Sequence, residues 1–318
     1  MRRKKGLTGL ALGGGGARGL AHIGILKVLE EKAIPIDIIA GTSIGALIGG
    51  AYASGSAPAE IAKKTEAYLS SPDFQSSAIK AFEDAQQKED FRLVQKIQIF
   101  IRNRLYLVQA MLKPGILPGE DLKSMIEYFI PDIEVGETRI PFRPVATDLV
   151  TGKEIIFSSG SLRQAVTASC AVPGAIAPLK EGEMILSDGG VICSVPSSVL
   201  RKEGADIVLA VAVDRQICEE HDFQTAMKIY YRVSDIMSNR LKSYELMDAD
   251  VVILPKVGRL HWSEFSHARA LVESGEAALS EKLDEIYSVL PLGKKWFTLN
   301  YISKVVKKWG FLKKGSTE

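Results

Sequence analysis

Three short runs of residues in this chain could do chemistry. The first is Gly41-Thr42-Ser43-Ile44-Gly45, a G-x-S-x-G pattern. An apolar run at 36–40 lies directly before it and a small-residue apolar run at 46–53 directly after it. A strand, a sharp turn and a helix in that order make a nucleophile elbow, in which small neighbours (Gly41 and Gly45) let the turn lift the serine hydroxyl clear. The start of the following helix would also favour negative charge on Ser43 Oγ. The competing reading is a plain glycine-rich turn in which Ser43 only caps the helix.

The second run is Gly13-Gly14-Gly15-Gly16-Ala17-Arg18-Gly19, between an apolar run at 7–12 and an amphipathic stretch at 20–32. Glycines there let the backbone approach a ligand closely. The amides that open the helix face an anion, either a phosphate or the oxyanion of an acyl-transfer intermediate. Gly14, Gly16 and Gly19 also fit the dinucleotide-binding spacing. That pattern wants an acid at the end of the second strand, where this chain has Gly41-Thr42-Ser43, with Asp37 at the strand's start. No Gly-Lys-Ser/Thr follows, so a Walker-type phosphate loop is absent.

The third run is Asp188-Gly189-Gly190, after a short apolar stretch at 184–186. Alone it reads as a solvent-facing turn. None of His22, His221, His261 and His267 has the context of a catalytic base, and no His/Cys cluster has metal-ligand spacing, so no cofactor or metal is expected. Cys170, Cys193 and Cys218 lack CxxC spacing and read as buried thiols in a reducing compartment. Asp148 and Asp214 each follow an apolar strand and read as turn caps.

These runs need elements to hold them. Strand, helix and strand within the first forty or so residues form a βαβ unit, which implies parallel strands. Residues 143–148 and 154–157 resemble a hairpin turning near Thr151-Gly152, and 206–213 is the best central parallel strand. Residues 251–254 form one more strand, and 266–290 read as one long amphipathic helix. Residues 58–130 are charged and helical. Their stripe Phe91, Val94, Ile97, Ile101, Leu105 and Val108 reads first as a layer packed on the sheet, and otherwise as a lid over a site. The uncharged stretch 38–57 has the length of a membrane span, but its five glycines and central Gly-Thr-Ser favour a buried strand, turn and helix.

The 318 residues carry a formal charge of +2, which argues against a nucleic-acid binder. The average hides a pattern. Residues 2–5 are all basic, and from Pro291 onward seven lysines face one acid, leaving 29 basic and 37 acidic residues between the two ends. The tail interleaves Trp296, Leu299, Ile302, Val306 and Trp309 with Lys304, Lys307 and Lys308. Tryptophan and lysine on one amphipathic helix suit an anionic membrane surface, and docking on the body is the alternative.

The three runs, in this order and spacing, resemble the patatin-like phospholipase family over residues 7–290, as do Pro141-Phe142-Arg143-Pro144-Val145-Ala146-Thr147-Asp148 and Ala168-Ser169-Cys170-Ala171-Val172-Pro173-Gly174. One position departs: Ile176 stands where many relatives carry an aromatic residue. The resemblance implies a three-layer α/β/α sandwich with a mostly parallel central sheet and a serine lipid acyl hydrolase. It implies Ser43 as nucleophile, Asp188 as general base, and Gly14, Gly15 and Gly16 with neighbouring Arg18 as the oxyanion hole. The expected organisation is a basic arm (1–6), a catalytic domain (7–290, with 58–130 a lid-like insertion) and a basic tail (291–318). The expected substrate is a phospholipid or lysophospholipid, met by a cytoplasmic enzyme at the inner membrane face. The alternative is a non-hydrolytic regulator that keeps the fold.

Overall fold

The structure is a computed structural model and describes residues 6–87, 114–213, 217, 219–258 and 260–291. It opens with strand β1 (Thr8–Leu12), helix α1 (Ala21–Glu31), strand β2 (Ile38–Thr42) and helix α2 (Ile44–Ala53). The charge-free stretch 38–57 is thus a strand, a one-residue turn at Ser43 and a helix whose residues are nearly all buried. Among the described residues, no helix is long and apolar enough to cross a membrane.

β2 lies two residues later than the apolar run 36–40 suggests. Asp37 is occupied at its start, where its carboxylate accepts the Thr8 amide at 2.6 Å. Pairing then runs from Ile38 opposite Gly9 to Thr42 opposite Val145 of β3 (Phe142–Asp148). The acid therefore sits at the strand end remote from the glycine run, where it cannot serve a dinucleotide held there.

After β3 come β4 (Lys153–Ile156), β5 (Leu179–Glu181), β6 (Met184–Asp188), β7 (Ile207–Val211) and β8 (Val251–Ile253). The described sheet has eight strands in the order β5-β6-β3-β2-β1-β7-β8, with β4 paired to β3 beside that path. The strands β3, β2, β1, β7 and β8 run parallel, while β4 and β6 run antiparallel to β3, and β5 runs antiparallel to β6. The expected hairpin is β3–β4, and β3 is also a central strand, paired with β2 and β6.

Side chains alternate across the sheet as strand geometry requires. Leu10, Leu12, Ile39, Leu209 and Val211 join a core with α1 and α2. Ala11, Ala40, Val208 and Ala210 face the other way onto Val199 and Leu200 of a short helix, Ser197–Lys202. The second helical layer is thin, and alanines on that face let it approach.

Residues 58–130 are helical where described: Pro58–Leu69, Pro72–Gln75, Ala78–Gln87 and Gly119–Phe129. The stripe expected at 88–113 lies outside the described residues, as do the basic arm through residue 5, Asp214, Cys218 and the tail from 292 with Trp296, Lys304, Lys307, Lys308 and Trp309. One expectation is corrected. Residues 266–290 are not one helix but a turn at Phe265–His267, a helix Ala268–Glu281 and a second helix Leu283–Val289, broken where Lys282 leaves helical geometry at φ −100° and ψ 1°.

Candidate active site

Ser43 stands alone between β2 and α2 with φ 55° and ψ −124°, in the region that favours glycine. A non-glycine residue held there costs on the order of 1–3 kcal/mol and persists only where its surroundings enforce it. The enforcing contacts are visible. The Ser43 amide donates to Ser169 Oγ at 2.9 Å, and the Ser43 carbonyl accepts the amides of Ala46 and Leu47. Its side chain makes no capping bond to α2, so the plain-cap reading does not describe it. Gly41 and Gly45 are required on steric grounds: a Cβ on Gly41 would lie 2.5 Å from the Gly45 carbonyl oxygen, and one on Gly45 2.1 Å from the Leu12 carbonyl oxygen.

The glycine run passes beside this serine, and a Cβ on Gly14 would lie 3.5 Å from Ser43 Cβ. The run is not uniformly free to bind an anion. Gly13 donates its amide to the Val211 carbonyl, Gly14 to the Ser194 carbonyl and Ala17 to the Trp262 carbonyl, at 2.7–2.9 Å. This narrows the expected donor set, because the Gly14 amide is already committed. Among the described residues, the amides of Gly15 and Gly16 have no such partner. Gly16 adopts φ +60° and a Cβ there would lie 2.3 Å from the Trp262 carbonyl oxygen, so only glycine fits. Arg18 folds back to donate Nε–H to the Gly15 carbonyl at 2.9 Å, which orients the loop from behind. His22 is buried in α1 with Nε2 2.8 Å from the Gly13 carbonyl oxygen, and likewise braces the loop.

Asp188 closes β6 and is 6% exposed, against 8% for Ser43. Its Oδ1 accepts the Gly190 amide at 2.7 Å, its own amide donates to the Ala171 carbonyl, and its carbonyl accepts Thr147 Oγ1–H. The motif is therefore a turn, Gly189–Val191, that emerges to solvent at Val191 while Asp188 and Gly189 stay buried. Gly189 packs on the residue before the serine, since a Cβ there would lie 3.2 Å from Thr42 Cγ2. Thr42 Oγ1 in turn donates to the Cys193 carbonyl at 2.9 Å. One continuous stretch, 188–194, thus touches all three motifs.

Sequence reasoning missed two supports. Glu245 is buried and accepts the amides of Ser194 and Val195, each at 2.9 Å, which steadies the carbonyl that holds Gly14. The segment around Trp262 walls the glycine loop, and His261 Nδ1 lies 2.8 Å from Ser263 Oγ beside it. The sequence carried no periodic signal for either, because both act across the fold.

Cys170 is buried, and burial followed by the nearby Asp188 charge holds its thiol well above the ordinary range, so it is no thiolate nucleophile. Asp148 is the turn cap that its position suggests. Its carboxylate accepts Thr151 Oγ1–H at 2.6 Å and the Val150 and Ile185 amides, and these bonds lower its pKa. An apolar cavity opens behind Ile44, the residue after the serine, walled by Leu47, Tyr68, Phe74, Met125 and Phe129. The helices of 58–130 thus supply one of its walls. Ile176, where an aromatic residue is common in relatives, is buried in the same core. No group of three or more His, Cys, Asp or Glu among the described residues is arranged to hold a metal.

A mostly parallel sheet with a strained serine between a strand and a helix, a glycine loop beside it and a buried aspartate opening an Asp-Gly-Gly turn defines a class of protein. The chain belongs to the patatin-like phospholipase family, whose model matches residues 10–200. It is 32% identical over 205 residues to an uncharacterised NTE family protein of Mycobacterium tuberculosis, covering 64% of this chain and 48% of that one. It is 31% identical over 224 residues to human patatin-like phospholipase domain-containing protein 6, covering 68% of this chain and 14% of that one. The chain therefore spans about half the length of the mycobacterial relative and a small part of the human one. The solved structure of VipD from Legionella pneumophila aligns over 97% of this chain and 77% of its own, with TM-score 0.43 and 13% identity.

Proposed function

We propose that this protein is a serine lipid acyl hydrolase that cleaves carboxylic esters of phospholipids or lysophospholipids. The observation that carries the proposal is Ser43 itself. It is a non-glycine residue at positive φ whose side chain makes no capping bond to α2, beside loop amides that have no backbone partner among the described residues. Strain of that kind persists at sites where geometry serves chemistry.

In this reading Ser43 Oγ attacks the acyl carbonyl while Asp188 takes the hydroxyl proton. The negative charge on the former carbonyl oxygen is met by the Gly15 and Gly16 amides. Collapse expels the alcohol, which recovers the proton from Asp188, and leaves an acyl ester on Ser43. Water, deprotonated by Asp188, attacks that ester; the bond to Ser43 Oγ breaks, Asp188 returns the proton to Ser43, and the carboxylic acid is released. An aspartate is a weak base for a serine hydroxyl, so the loop carries much of the rate; one such donor is worth about 10²–10³ in turnover. The α2 N-terminus adds a favourable field at Ser43 Oγ.

The lipid is met at an anionic membrane surface from the cytoplasmic side, with Trp296, Trp309, Lys304, Lys307 and Lys308 of the tail as contacts. The test is release of free fatty acid from phosphatidylglycerol and its lyso form. The intact chain should release acid from at least one of them, and Ser43→Ala and Asp188→Asn should each lose about 10³-fold or more. A well-folded protein with no turnover on either lipid, and none on short-chain esters, supports the non-hydrolytic regulator instead.

A further inference from the structure

The helix Ala226–Glu245 is built the wrong way round for a packed helix. Its residues Ile229, Val233, Ile236, Met237 and Tyr244 follow helical spacing and form one apolar face, with Tyr230 at its margin. An apolar face of this kind normally turns inward. Here Ile236 is 47% exposed, Met237 67% and Tyr230 67%. The residues of the helix that are buried are Lys242 and Glu245, on the opposite, polar face. Between Ala226 and Ser238, no described side chain is buried.

The helix also has a definite direction. Glu245 holds the Ser194 and Val195 amides at the level of Gly14, beside the ends of β1 and β2 that carry the site. Five residues later the Asp250 amide donates to Val208, near the start of β7. The chain thus descends from the catalytic edge after Glu245, and the C-terminal end of the exposed helix lies at that edge. Twenty residues extend about 30 Å.

Charge on this helix is sorted. Lys228 pairs with Asp222 of the preceding segment, and Lys228 and Asp235 lie on the face away from the apolar stripe. On the stripe itself the charged residue is Arg240, stacked 4.7 Å from the centre of the Tyr244 ring and donating to Tyr244 Oη at 2.7 Å. Among the described residues, it has no carboxylate partner. Tyrosine, methionine and isoleucine around one guanidinium match the border between hydrocarbon and headgroup, where aromatic rings bury their bodies and arginine reaches phosphate.

We propose that the apolar face of helix Ala226–Glu245 is a membrane-docking surface that inserts Ile229, Val233, Ile236 and Met237 among phospholipid chains and sets Arg240 against a headgroup phosphate. It rests on the lipid-hydrolase reading and adds where the lipid surface is engaged: by a helix whose C-terminal end lies at the catalytic edge, independently of the tail.

The experiment uses the full chain with Met237→Cys and Cys218→Ser, labelled at position 237 with an environment-sensitive fluorophore. The probe is vesicles of ether-linked phosphatidylcholine and phosphatidylglycerol, which hold no carboxylic ester to cleave. The expected result is a blue-shifted emission on adding vesicles. Ile236→Glu together with Tyr230→Glu should weaken vesicle sedimentation by about 10-fold or more, and Arg240→Glu should weaken it about 5-fold. Unchanged near-ultraviolet circular dichroism checks that each variant is folded. A label that stays in water while the protein sediments with the vesicles overturns the proposal. So does a dimer in vesicle-free solution that Ile236→Glu dissolves, since the face then binds a second copy. Insertion without any serine reactivity would sink the hydrolase reading and leave the docking surface standing.

Discussion

The Ser43 amide donates to Ser169 Oγ at 2.9 Å. Two residues along the same segment, the Ala171 carbonyl accepts the amide of Asp188. One short run of small residues therefore holds the backbone of both proposed catalytic residues. Ser169→Ala removes the first bond and leaves a buried amide without its acceptor, at a cost of about 1–3 kcal/mol. At roughly 2–4 °C per kcal/mol for a domain of this size, thermal unfolding should move down by several degrees. Turnover should fall by about tenfold with little change in KM, because the elbow shifts while the lipid contacts remain. Scanning fluorimetry and steady-state kinetics check both.

Gly16→Ala probes the oxyanion loop. The added Cβ would meet the Trp262 carbonyl at 2.3 Å in a conformation of φ +60°. The loop must shift, and with it the two amides proposed to hold the oxyanion. We expect a drop in kcat of about 10², alongside lower thermal stability. A variant that keeps full kcat would remove Gly15 and Gly16 from the mechanism.

Glu245→Gln tests the remote support. The carboxylate binds two amides, of Ser194 and Val195, whereas the neutral amide offers one acceptor oxygen. The expected outcome is a several-fold loss in kcat at unchanged KM, since Ser194 is the residue that positions Gly14. A raised KM at unchanged kcat would mean that Glu245 acts on lipid binding instead.

The Asp148 turn gives a pH prediction. Its carboxylate is held below the ordinary value of 3.8, first by the Thr151 hydroxyl and then by backbone amides. A lowered folded-state pKa stabilises the protein above the unfolded-state value, and that contribution disappears as pH falls through the folded-state value. Asp148→Asn should therefore melt below the parent at neutral pH, and the gap should close below about pH 4. Melting curves across that range check it. A gap that widens in acid would contradict the assigned hydrogen bonds.

Much of the site is legible in the sequence because local chemistry dictates it. Glycines at 41 and 45 are needed wherever a serine stands at so sharp a turn, and Gly13 to Gly19 announce a close backbone approach. The strands β1, β2 and β7 are legible because both their faces are buried and they read as continuous apolar runs. What is not legible depends on contacts distant in sequence. That Gly14 spends its amide on Ser194, or that Glu245 reaches Ser194 from 51 residues away, leaves no periodic trace. The break at Lys282 escapes notice because apolar spacing continues through it. In the helix Ala226–Glu245 the spacing marks an apolar face, but spacing does not tell that the face turns to solvent.

The most direct test is reaction of the intact chain with a fluorophosphonate, followed by peptide mass spectrometry. The proposed chemistry predicts a single adduct on Ser43, absent from Ser43→Ala and strongly slowed in Asp188→Asn. A folded protein that forms no adduct, or forms it on another serine such as Ser169, would contradict it.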